Sequence, residues 1–385
     1  MKIAFLTPEY PHVRTGKSGG IGTSIKNLAV SLISKGVSVR VLVYNQNEDE
    51  VFEENGVIIQ RIKNIKIKGL SRYLTQKKIE KLINGLYDEG QVDLIEAPDW
   101  TGMTSFIQPK VPLIVRLNGS DTYFCHLDNR PVKWLNKFHE KRALSKAKAH
   151  ISVSTFTAMM TNKVFGFNID FTVIPNGVST ALFKRNKADY DSENKILYFG
   201  TLIRKKGAFE LPLIFNEVIK KNPNAELFLV GSDSGDIKTG SNSTWALMQP
   251  LFNEKALKRV HYLGKVPYEE VQNHIAETTV CIFPTFAEAL PVSWLEAMAM
   301  EKAIVASDIG WGKEIVDDQI NGFLAHPTDH TKNANCILEL LNDKIKRQGI
   351  ERMARQKVLN HFDSSVVADE SIQFYKKVVD DNSLS

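Results

Sequence analysis

The sequence predicts an α/β protein built from two domains, each a parallel β-sheet covered by α-helices. Three observations support this prediction. The chain has 385 residues, which is long for one domain and comfortable for two. Short apolar runs of strand length alternate with amphipathic segments of roughly 10–20 residues, in two successive series. A polar stretch without apolar periodicity separates the two series.

The strands are predicted from apolar runs rich in β-branched residues. In the first series these runs are Ile3–Leu6, Val39–Val43, Val57–Ile62, Leu94–Glu96, Leu113–Leu117, Ile151–Val153 and Thr172–Ile174. In the second they are Ile196–Phe199, Leu227–Val230, Val260–Leu263, Val280–Phe283, Ala303–Ala306 and Gly322–Leu324. The polar stretch Lys187–Asn194 is the predicted linker, which gives domains 1–186 and 187–361. Residues 362–385 are predicted to form one last helix and a polar tail.

The bulk properties indicate a soluble globular protein of a reducing compartment. Hydrophobic residues make up 43% of the chain and charged residues 24%, and the net charge of +5 is too small to indicate nucleic-acid binding. Three cysteines without metal-ligand spacing favour a reducing cytoplasm. Neither a signal-peptide core nor an apolar run of about 18 residues is present. We therefore expect a cytoplasmic protein.

The stretch Phe283–Met300 is the most informative part of the chain. A buried strand ends at Pro284, and Pro291 fits the first turn of a following helix. Glu288 then lies in the loop before the helix, and Glu296 lies inside it. Carboxylates beside a helix N-terminus suit a ligand that carries hydroxyl groups and phosphate. The competing interpretation is a capping acid and an ordinary glutamate on a helix face.

This stretch resembles the E-x7-E signature of the family-four retaining glycosyltransferases, which have the GT-B fold of two facing Rossmann-like domains with a cleft between them. The resemblance implies that Glu288 contacts the transferred sugar and that Glu296 binds the ribose of a nucleotide-sugar donor. Further runs, including the one around Pro175-Asn176-Gly177, match the family in order between about residues 3 and 327. The C-terminal helix is then expected to cross back to the N-terminal domain.

A glycine-rich loop follows the first strand. Gly16-Lys17-Ser18 resembles the end of a phosphate-binding P-loop, but the glycine that this motif requires is replaced by Pro11. The glycines at positions 19, 20 and 22 precede a predicted helix from Thr23 to Leu32, and their amides can approach an anion. A flexible loop explains the cluster equally well. The resemblance implies that Gly19, Gly20 and Gly22 face the donor diphosphate.

The strand Leu113–Leu117 ends at Asn118, where many members of the family have a histidine. Asn118 can hydrogen-bond a sugar hydroxyl and is a candidate catalytic residue. His126 is a second candidate for the role of the missing histidine, although a surface histidine is the simpler interpretation.

The second domain opens with a basic loop, from Gly200 to Gly207. Its cations would neutralise a diphosphate, although a solvated basic loop is an equally good interpretation. The resemblance assigns Lys206 to the diphosphate. It places Thr201 where the family has an arginine, and Arg204 could supply that charge. The remaining donor-binding candidates are the main chain at Val266 and at Leu290 and Val292, on either side of Pro291.

Residues 61–81 carry Arg61, Lys63, Lys66, Lys68, Lys77, Lys78 and Lys81 among isoleucine, leucine and tyrosine. The simpler interpretation is a solvated helix face. The alternative is docking to anionic lipid headgroups or to a lipid diphosphate acceptor.

Together these observations predict a retaining hexosyltransferase that uses a UDP- or GDP-linked sugar and a saccharide or lipid-linked acceptor, in bacterial surface or exported polysaccharide synthesis. No cofactor and no metal are expected, because the single D-x-D, Asp189-Tyr190-Asp191, lies in the predicted linker. Two alternatives remain open. One is a nucleotide-sugar epimerase of similar fold, and the other is a non-catalytic binding protein, which the departures at Asn118, Thr201 and Pro291 would suit.

Overall fold

The computed structural model describes residues 1–16, 18–185 and 193–383. They divide into two compact units, one comprising Met1–Gly177 with Asp363–Ser385 and the other Val178–Phe362. The division comes after Gly177, earlier than the predicted boundary after residue 186. Most of the predicted linker, including Asp189-Tyr190-Asp191, lies outside the described residues, as does Lys17.

The first unit contains an eight-stranded sheet in the order β3-β4-β2-β1-β5-β6-β7-β8. Its strands are β1 Lys2–Thr7, β2 Ser38–Gln46, β3 Glu50–Glu54, β4 Val57–Lys63, β5 Leu94–Pro98, β6 Leu113–Leu117, β7 Ala149–Ser152 and β8 Thr172–Val173. Neighbouring strands pair in parallel, except that β3 and β4 are antiparallel. The helices are α1 Gly20–Ser34, α2 Ser71–Asp88, α3 Asp121–Leu127, α4 Trp134–Lys146 and α5 Thr155–Phe165.

Successive side chains of β1 point to opposite faces of this sheet, and both faces carry a hydrophobic core. Ile3 and Phe5 pack into the cluster that includes the apolar side of α1, whereas Ala4 and Leu6 pack into the cluster that includes α2. A central parallel strand is buried on both faces, so it reads in sequence as a continuous apolar run. Strand β3 was not predicted, because three of the five residues of its EVFEE sequence are charged and it lies at a sheet edge, so it has no such run.

The second unit contains a six-stranded, wholly parallel sheet in the order β11-β10-β9-β12-β13-β14. Its strands are β9 Lys195–Phe199, β10 Glu226–Val230, β11 Val260–Gly264, β12 Val280–Phe283, β13 Ala303–Ser307 and β14 Phe323–Ala325. Its helices are α6 Glu210–Lys221, α7 Thr244–Met248, α8 Glu254–Leu257, α9 Tyr268–Ala276, α10 Val292–Ala299, α11 Gly312–Ile315, α12 His330–Asn342 and α13 Lys344–His361. The predicted fold class, two Rossmann-like α/β domains, is confirmed.

The last helix, α14 (Ser364–Ser383), packs on the first unit beside α1. Tyr375 donates a 2.6 Å hydrogen bond to Glu96 Oε2, and Arg116 Nε donates to Glu96 Oε1 at 2.7 Å. All three side chains are buried. The Glu96–Arg116 ion pair of the sheet and the Tyr375 hydroxyl of the helix therefore supply each other's hydrogen-bond partners in place of water. Among the described residues, no helix is long and apolar enough to cross a bilayer.

Replacing Tyr375 by Phe should destabilise the first unit by roughly 1.5–3 kcal/mol, because the change removes a hydrogen bond to a buried carboxylate. The measurement is urea-induced unfolding followed by circular dichroism and by proteolysis of the C-terminal helix. Tyr87→Phe is the matched control, since Tyr87 is 45% exposed. Equal stability of the two variants would show that the Tyr375 hydroxyl contributes nothing.

Candidate functional site

The strand order of the second sheet marks where a ligand would bind. The chain runs from β9 outward through β10 to β11 and then returns to the other side of β9 as β12. In open parallel sheets, ligands bind at the carboxyl ends of the strands where the order reverses in this way. The loops that follow β9 and β12 therefore form the candidate site, and they carry Lys206 and Glu288.

These two loops are held together by main-chain contacts. Lys205 O accepts hydrogen bonds from the amides of Phe286 and Ala287, at 2.8 and 3.2 Å. Gly207 adopts a left-handed conformation, with φ of +75°, and a Cβ there would lie 1.8 Å from Pro284 O. Only glycine permits so close an approach. The turn after β9 is thus fixed against the loop after β12.

This approach brings Lys206 and Glu288 together as an ion pair, with 2.9 Å between Lys206 Nζ and Glu288 Oε1. The two side chains are 28% and 16% exposed, so the pair lies at a partly open surface. Burial opposes ionisation of Glu288, but the positive charges of Lys206 and Lys205 outweigh it and hold the pKa of that carboxyl below its ordinary value. Glu288 is therefore ionised at neutral pH.

Glu296 lies in α10 and is only 5% exposed. Tyr268, the first residue of α9, donates a 2.7 Å hydrogen bond to its Oε1. Burial raises the pKa of Glu296 to about 7, against the lowering influence of Tyr268 and of the Lys206 charge. Lys206 thus acts on both predicted glutamates, one of which is ionised while the other is half-protonated near neutral pH.

The structure places the remaining predicted donor-side residues around this centre. Thr201 follows β9, and its carbonyl accepts a 3.0 Å hydrogen bond from Tyr198 Oη. Leu290 is buried in the loop before α10, and Val292 is the first residue of that helix. Val266 lies between β11 and α9, two positions before Tyr268. All four lie in loops or helix starts on the carboxyl side of the sheet.

Arg204 is paired with an acidic side chain of the loop after β10. Its guanidinium forms a two-pronged pair with Asp236, with Nε–Oδ1 at 2.8 Å and Nη2–Oδ2 at 2.7 Å, and it lies 4.2 Å from the centre of the Phe209 ring. The arginine and two hydrogen bonds from Thr239 lower the pKa of Asp236 to about 2. This fork anchors the loop after β10, and the role of Arg204 toward a donor diphosphate stays a prediction.

The glycine-rich loop of the first unit leads into α1, which begins at Gly20. Gly19 precedes the helix and Gly20 is exposed. The amide of Gly22 donates a 3.0 Å hydrogen bond to the Glu9 carboxylate, so an anionic group of the chain already lies at this helix N-terminus. A Cβ on Gly22 would lie 2.1 Å from Ser18 Oγ and 3.1 Å from Glu9 O, which accounts for the glycine.

Asn118 and His126 lie at opposite ends of one short segment. Asn118 directly follows β6 and lines a recess with Pro98 and Asn176. Its main-chain N–H donates a 2.9 Å hydrogen bond to Asp99 Oδ1. His126 lies in the last turn of α3 and is exposed. The structure thus keeps Asn118 at the strand end and places His126 on the surface of the helix that follows.

Sequence patterns did not indicate Tyr268 or Asp236 as site residues. Tyr268 follows Pro267 and begins the helix after β11. This position, in a connection that leaves the carboxyl end of a strand, is the one feature of the sequence that could have indicated Tyr268 as a site residue. No cluster of three or more potential metal ligands occurs among residues 1–16, 18–185 and 193–383.

Two family models match the chain in succession. The model described as Glycosyltransferase Family 4 matches residues 18–182, and the model described as Glycosyl transferases group 1 matches residues 180–357. Each match falls largely within one of the two units, and together they span most of the chain.

The chain is also similar to individual glycosyltransferases and to solved structures. An uncharacterised glycosyltransferase of Methanocaldococcus jannaschii is 24% identical and aligns over 98% of both chains. The capsular polysaccharide biosynthesis glycosyltransferase CapM of Staphylococcus aureus is 25% identical over 46% of this chain and 44% of its own. The crystal structure of Anabaena HepE in complex with UDP-glucose has the same fold, with a TM-score of 0.75, 20% identity and coverage of 98% of this chain and 100% of that one.

The raised pKa of Glu296 predicts a specific pH dependence of stability. An unfolded glutamate titrates near about 4.3, whereas folded Glu296 keeps its proton up to about pH 7. The folded state therefore binds more protons between these values, and stability falls as the pH rises through them. Between pH 5 and pH 8, the wild type should lose roughly 2–3 kcal/mol more than Glu296→Gln does.

The measurement is denaturant unfolding at a series of pH values. Glu270→Gln is the matched control, because Glu270 is an exposed glutamate on the neighbouring helix α9. Parallel pH profiles for the wild type and Glu296→Gln would show that Glu296 titrates normally.

Proposed function

The chain is a glycosyltransferase of GT-B fold, and from this premise we propose that it transfers a hexose from a nucleotide sugar to a saccharide or lipid-linked acceptor with retention of anomeric configuration. The observation that carries this proposal is the group of Lys206, Glu288 and Glu296 at the switch point of the second sheet. In this group, the ammonium of Lys206 can bind a diphosphate, and the carboxyl groups of Glu288 and Glu296 can accept hydrogen bonds from hydroxyl groups.

Lys206 is the proposed ligand of the donor diphosphate. When the bond to the sugar breaks, negative charge builds on the departing nucleoside diphosphate, and a fixed ammonium group stabilises that charge most in the transition state. In the structure this ammonium group forms an ion pair with Glu288, at 2.9 Å. A diphosphate brings more negative charge than one carboxylate, so we propose that Lys206 serves the phosphate while Glu288 turns to a sugar hydroxyl.

Glu296 is the proposed ligand of the donor ribose. A carboxylate can accept hydrogen bonds from two neighbouring hydroxyl groups at once. Tyr268 already uses Oε1 as an acceptor at 2.7 Å and so fixes the orientation of the carboxyl group. Because hydroxyl donors favour the ionised form, donor binding should lower the pKa of Glu296 from about 7 and release protons at neutral pH.

The finer parts of the proposal rest on the family resemblance and on the relatives. The structure of HepE was solved with UDP-glucose, which supports a nucleotide-sugar donor. CapM is named for capsular polysaccharide biosynthesis, which supports a role in surface or exported polysaccharide synthesis. For retention we propose front-face attack, in which the departing phosphate helps to deprotonate the acceptor.

Incubation with radiolabelled UDP- and GDP-hexoses and a panel of saccharide and lipid-linked acceptors tests this function. Label in an acceptor product supports transfer, and the anomeric coupling constant of that product decides between retention and inversion. Epimerised donor without an acceptor product would instead identify an epimerase. Donor binding without turnover on any acceptor would identify a binding protein.

Lys206→Ala should lower kcat by about 100- to 1,000-fold, because it removes a positive charge that acts on the leaving group. Donor affinity measured by calorimetry should change less than kcat. Lys220→Ala is the control, since Lys220 is an exposed lysine of α6 paired to Glu217. Turnover at the wild-type rate in a folded Lys206→Ala protein would contradict the assignment.

A second variant separates charge stabilisation from the effect of an unpaired glutamate. Lys206→Ala leaves Glu288 partly buried without its ion-pair partner, which by itself could disturb the site. The double variant Lys206→Ala/Glu288→Gln removes that carboxylate charge. If Lys206 stabilises the leaving group, the double variant stays as slow as the single one or slower. Recovery of activity would mean that the lysine acts only by neutralising Glu288.

A further inference from the structure

Two segments of the first unit are unusually basic. Residues 63–79 contain six basic residues and no acidic residue, and residues 130–148 contain seven basic residues and one acidic residue, Glu140. Glu140 is fully buried, where it accepts hydrogen bonds from Thr101, Asp121 and Thr122. The exposed charge of both segments is therefore almost entirely positive, although the whole chain carries a net charge of only +5.

The same segments expose large apolar side chains. On α4, Trp134 is 77% exposed and Phe138, one turn later, is 47% exposed. At the start of α2, Leu70 is 53% exposed and Tyr73 45% exposed. Residues three and four positions apart share a face of a helix, so each helix presents its exposed apolar groups together.

Ring contacts join the two helices into one surface. The Tyr73 and Phe106 rings lie 5.6 Å apart, and the Phe106 and Phe138 rings lie 6.4 Å apart. The Arg142 guanidinium lies 4.6 Å from the centre of the Phe106 ring. We call the surface formed by Leu70, Tyr73, Phe106, Trp134 and Phe138 the α2–α4 face. Exposed Lys66, Lys68, Lys133 and Lys137 border it in sequence.

We propose that the α2–α4 face docks the protein on the surface of an anionic lipid bilayer. Aromatic side chains favour the region between headgroups and acyl chains, and lysines among them attract anionic headgroups. The N-termini of α2 and α4 lie in this region, and neither helix has a side-chain cap or an acidic residue in its first turn. Their partial positive charges therefore add to the attraction.

The composition of the face favours lipid over a protein partner. Aromatic residues are common in both kinds of interface, but lysine is depleted in protein–protein interfaces. A soluble polyanion would account for the lysines but not for Trp134, which is 77% exposed. Lysine side chains at a bilayer can extend their charge to the headgroups while their alkyl stems cover apolar surface.

The α2–α4 face lies toward the carboxyl side of the first sheet. Helix α2 follows β4 and therefore begins on the carboxyl side of the sheet, and the ring of Tyr73, in its first turn, contacts the Phe106 ring. This is the side on which Asn118 ends β6 and on which open α/β sheets bind ligands. A bilayer on the α2–α4 face would therefore lie toward the ligand-binding side of this sheet. The docking proposal itself does not depend on transferase activity.

Sedimentation of the full chain with lipid vesicles tests the proposal. Vesicles of phosphatidylglycerol mixed with phosphatidylcholine should bind the wild type, and pure phosphatidylcholine vesicles should bind it weakly. High salt should release it, because screening shortens the range of the attraction. Lys133→Glu/Lys137→Glu should weaken binding at least tenfold, since each basic residue near the surface contributes roughly a factor of five. Trp134→Ser/Phe138→Ser should weaken it on the order of tenfold through lost apolar burial.

Matched controls come from the second unit. Lys255→Glu/Lys258→Glu reverses two exposed lysines of comparable spacing, and Ile345→Ser removes an apolar side chain that is 85% exposed. Both should bind like the wild type. Thermal unfolding shows whether each variant is folded, and Lys133→Glu should fold readily because an acidic residue suits a helix N-terminus.

Trp134 provides a second, direct readout. The wild-type spectrum minus that of Trp134→Phe should shift to shorter wavelength when anionic vesicles are added, as the indole leaves water. Equal vesicle binding by all variants, or equal binding to uncharged vesicles, would overturn the proposal. Self-association that is lost in the same variants, without vesicle binding, would identify the face as a contact between copies of the chain.

Discussion

The candidate site depends on one close main-chain approach, that of the turn at Gly207 to the carbonyl of Pro284. A Cβ at Gly207 would lie 1.8 Å from that oxygen, and φ is +75°, so the turn after β9 can meet the loop after β12 only with glycine there. The carbonyl of Lys205 then closes the junction with two amides of the facing loop. Residues about eighty positions apart in sequence become neighbours because two parallel strands end side by side.

This junction gives two glutamates different electrostatic environments around one lysine. Glu288 forms an ion pair with Lys206 and has a lowered pKa, whereas Glu296 is more deeply buried, is held by a neutral phenol and has a pKa raised to about 7. Desolvation dominates where the partner is neutral, and the charge of the lysine dominates where it makes direct contact. Glu288 is thus ionised at neutral pH, and Glu296 takes up or releases a proton there.

The sequence was sufficient to predict the two parallel sheets, because buried strands appear as continuous apolar runs. It was insufficient for β3, an edge strand in which three of five residues are charged, so that its sequence resembles a loop. Glu288 and Glu296 were singled out by their place at a strand–loop–helix junction together with the resemblance to the E-x7-E signature, and their roles stay a prediction. The pairing of Arg204 with Asp236 was not predicted, because partners brought in by other strands leave no mark in the local sequence. Tyr268 was missed for the same reason.

The switch point of the first sheet, between β1 and β5, offers an informative contrast. Two of its carboxyl groups, those of Glu9 and Asp99, accept hydrogen bonds from the main-chain amides of Gly22 and Asn118, and burial raises the pKa of Asp99 to about 8. Amides of the backbone cannot leave without disturbing the fold, so these acids stabilise loops. In the second sheet the partners are the side chains of Lys206 and Tyr268, which can rotate. A ligand can replace a rotating side chain far more easily than a backbone amide, which supports the assignment, under the proposed function, of the carboxyl groups of the second unit to the donor.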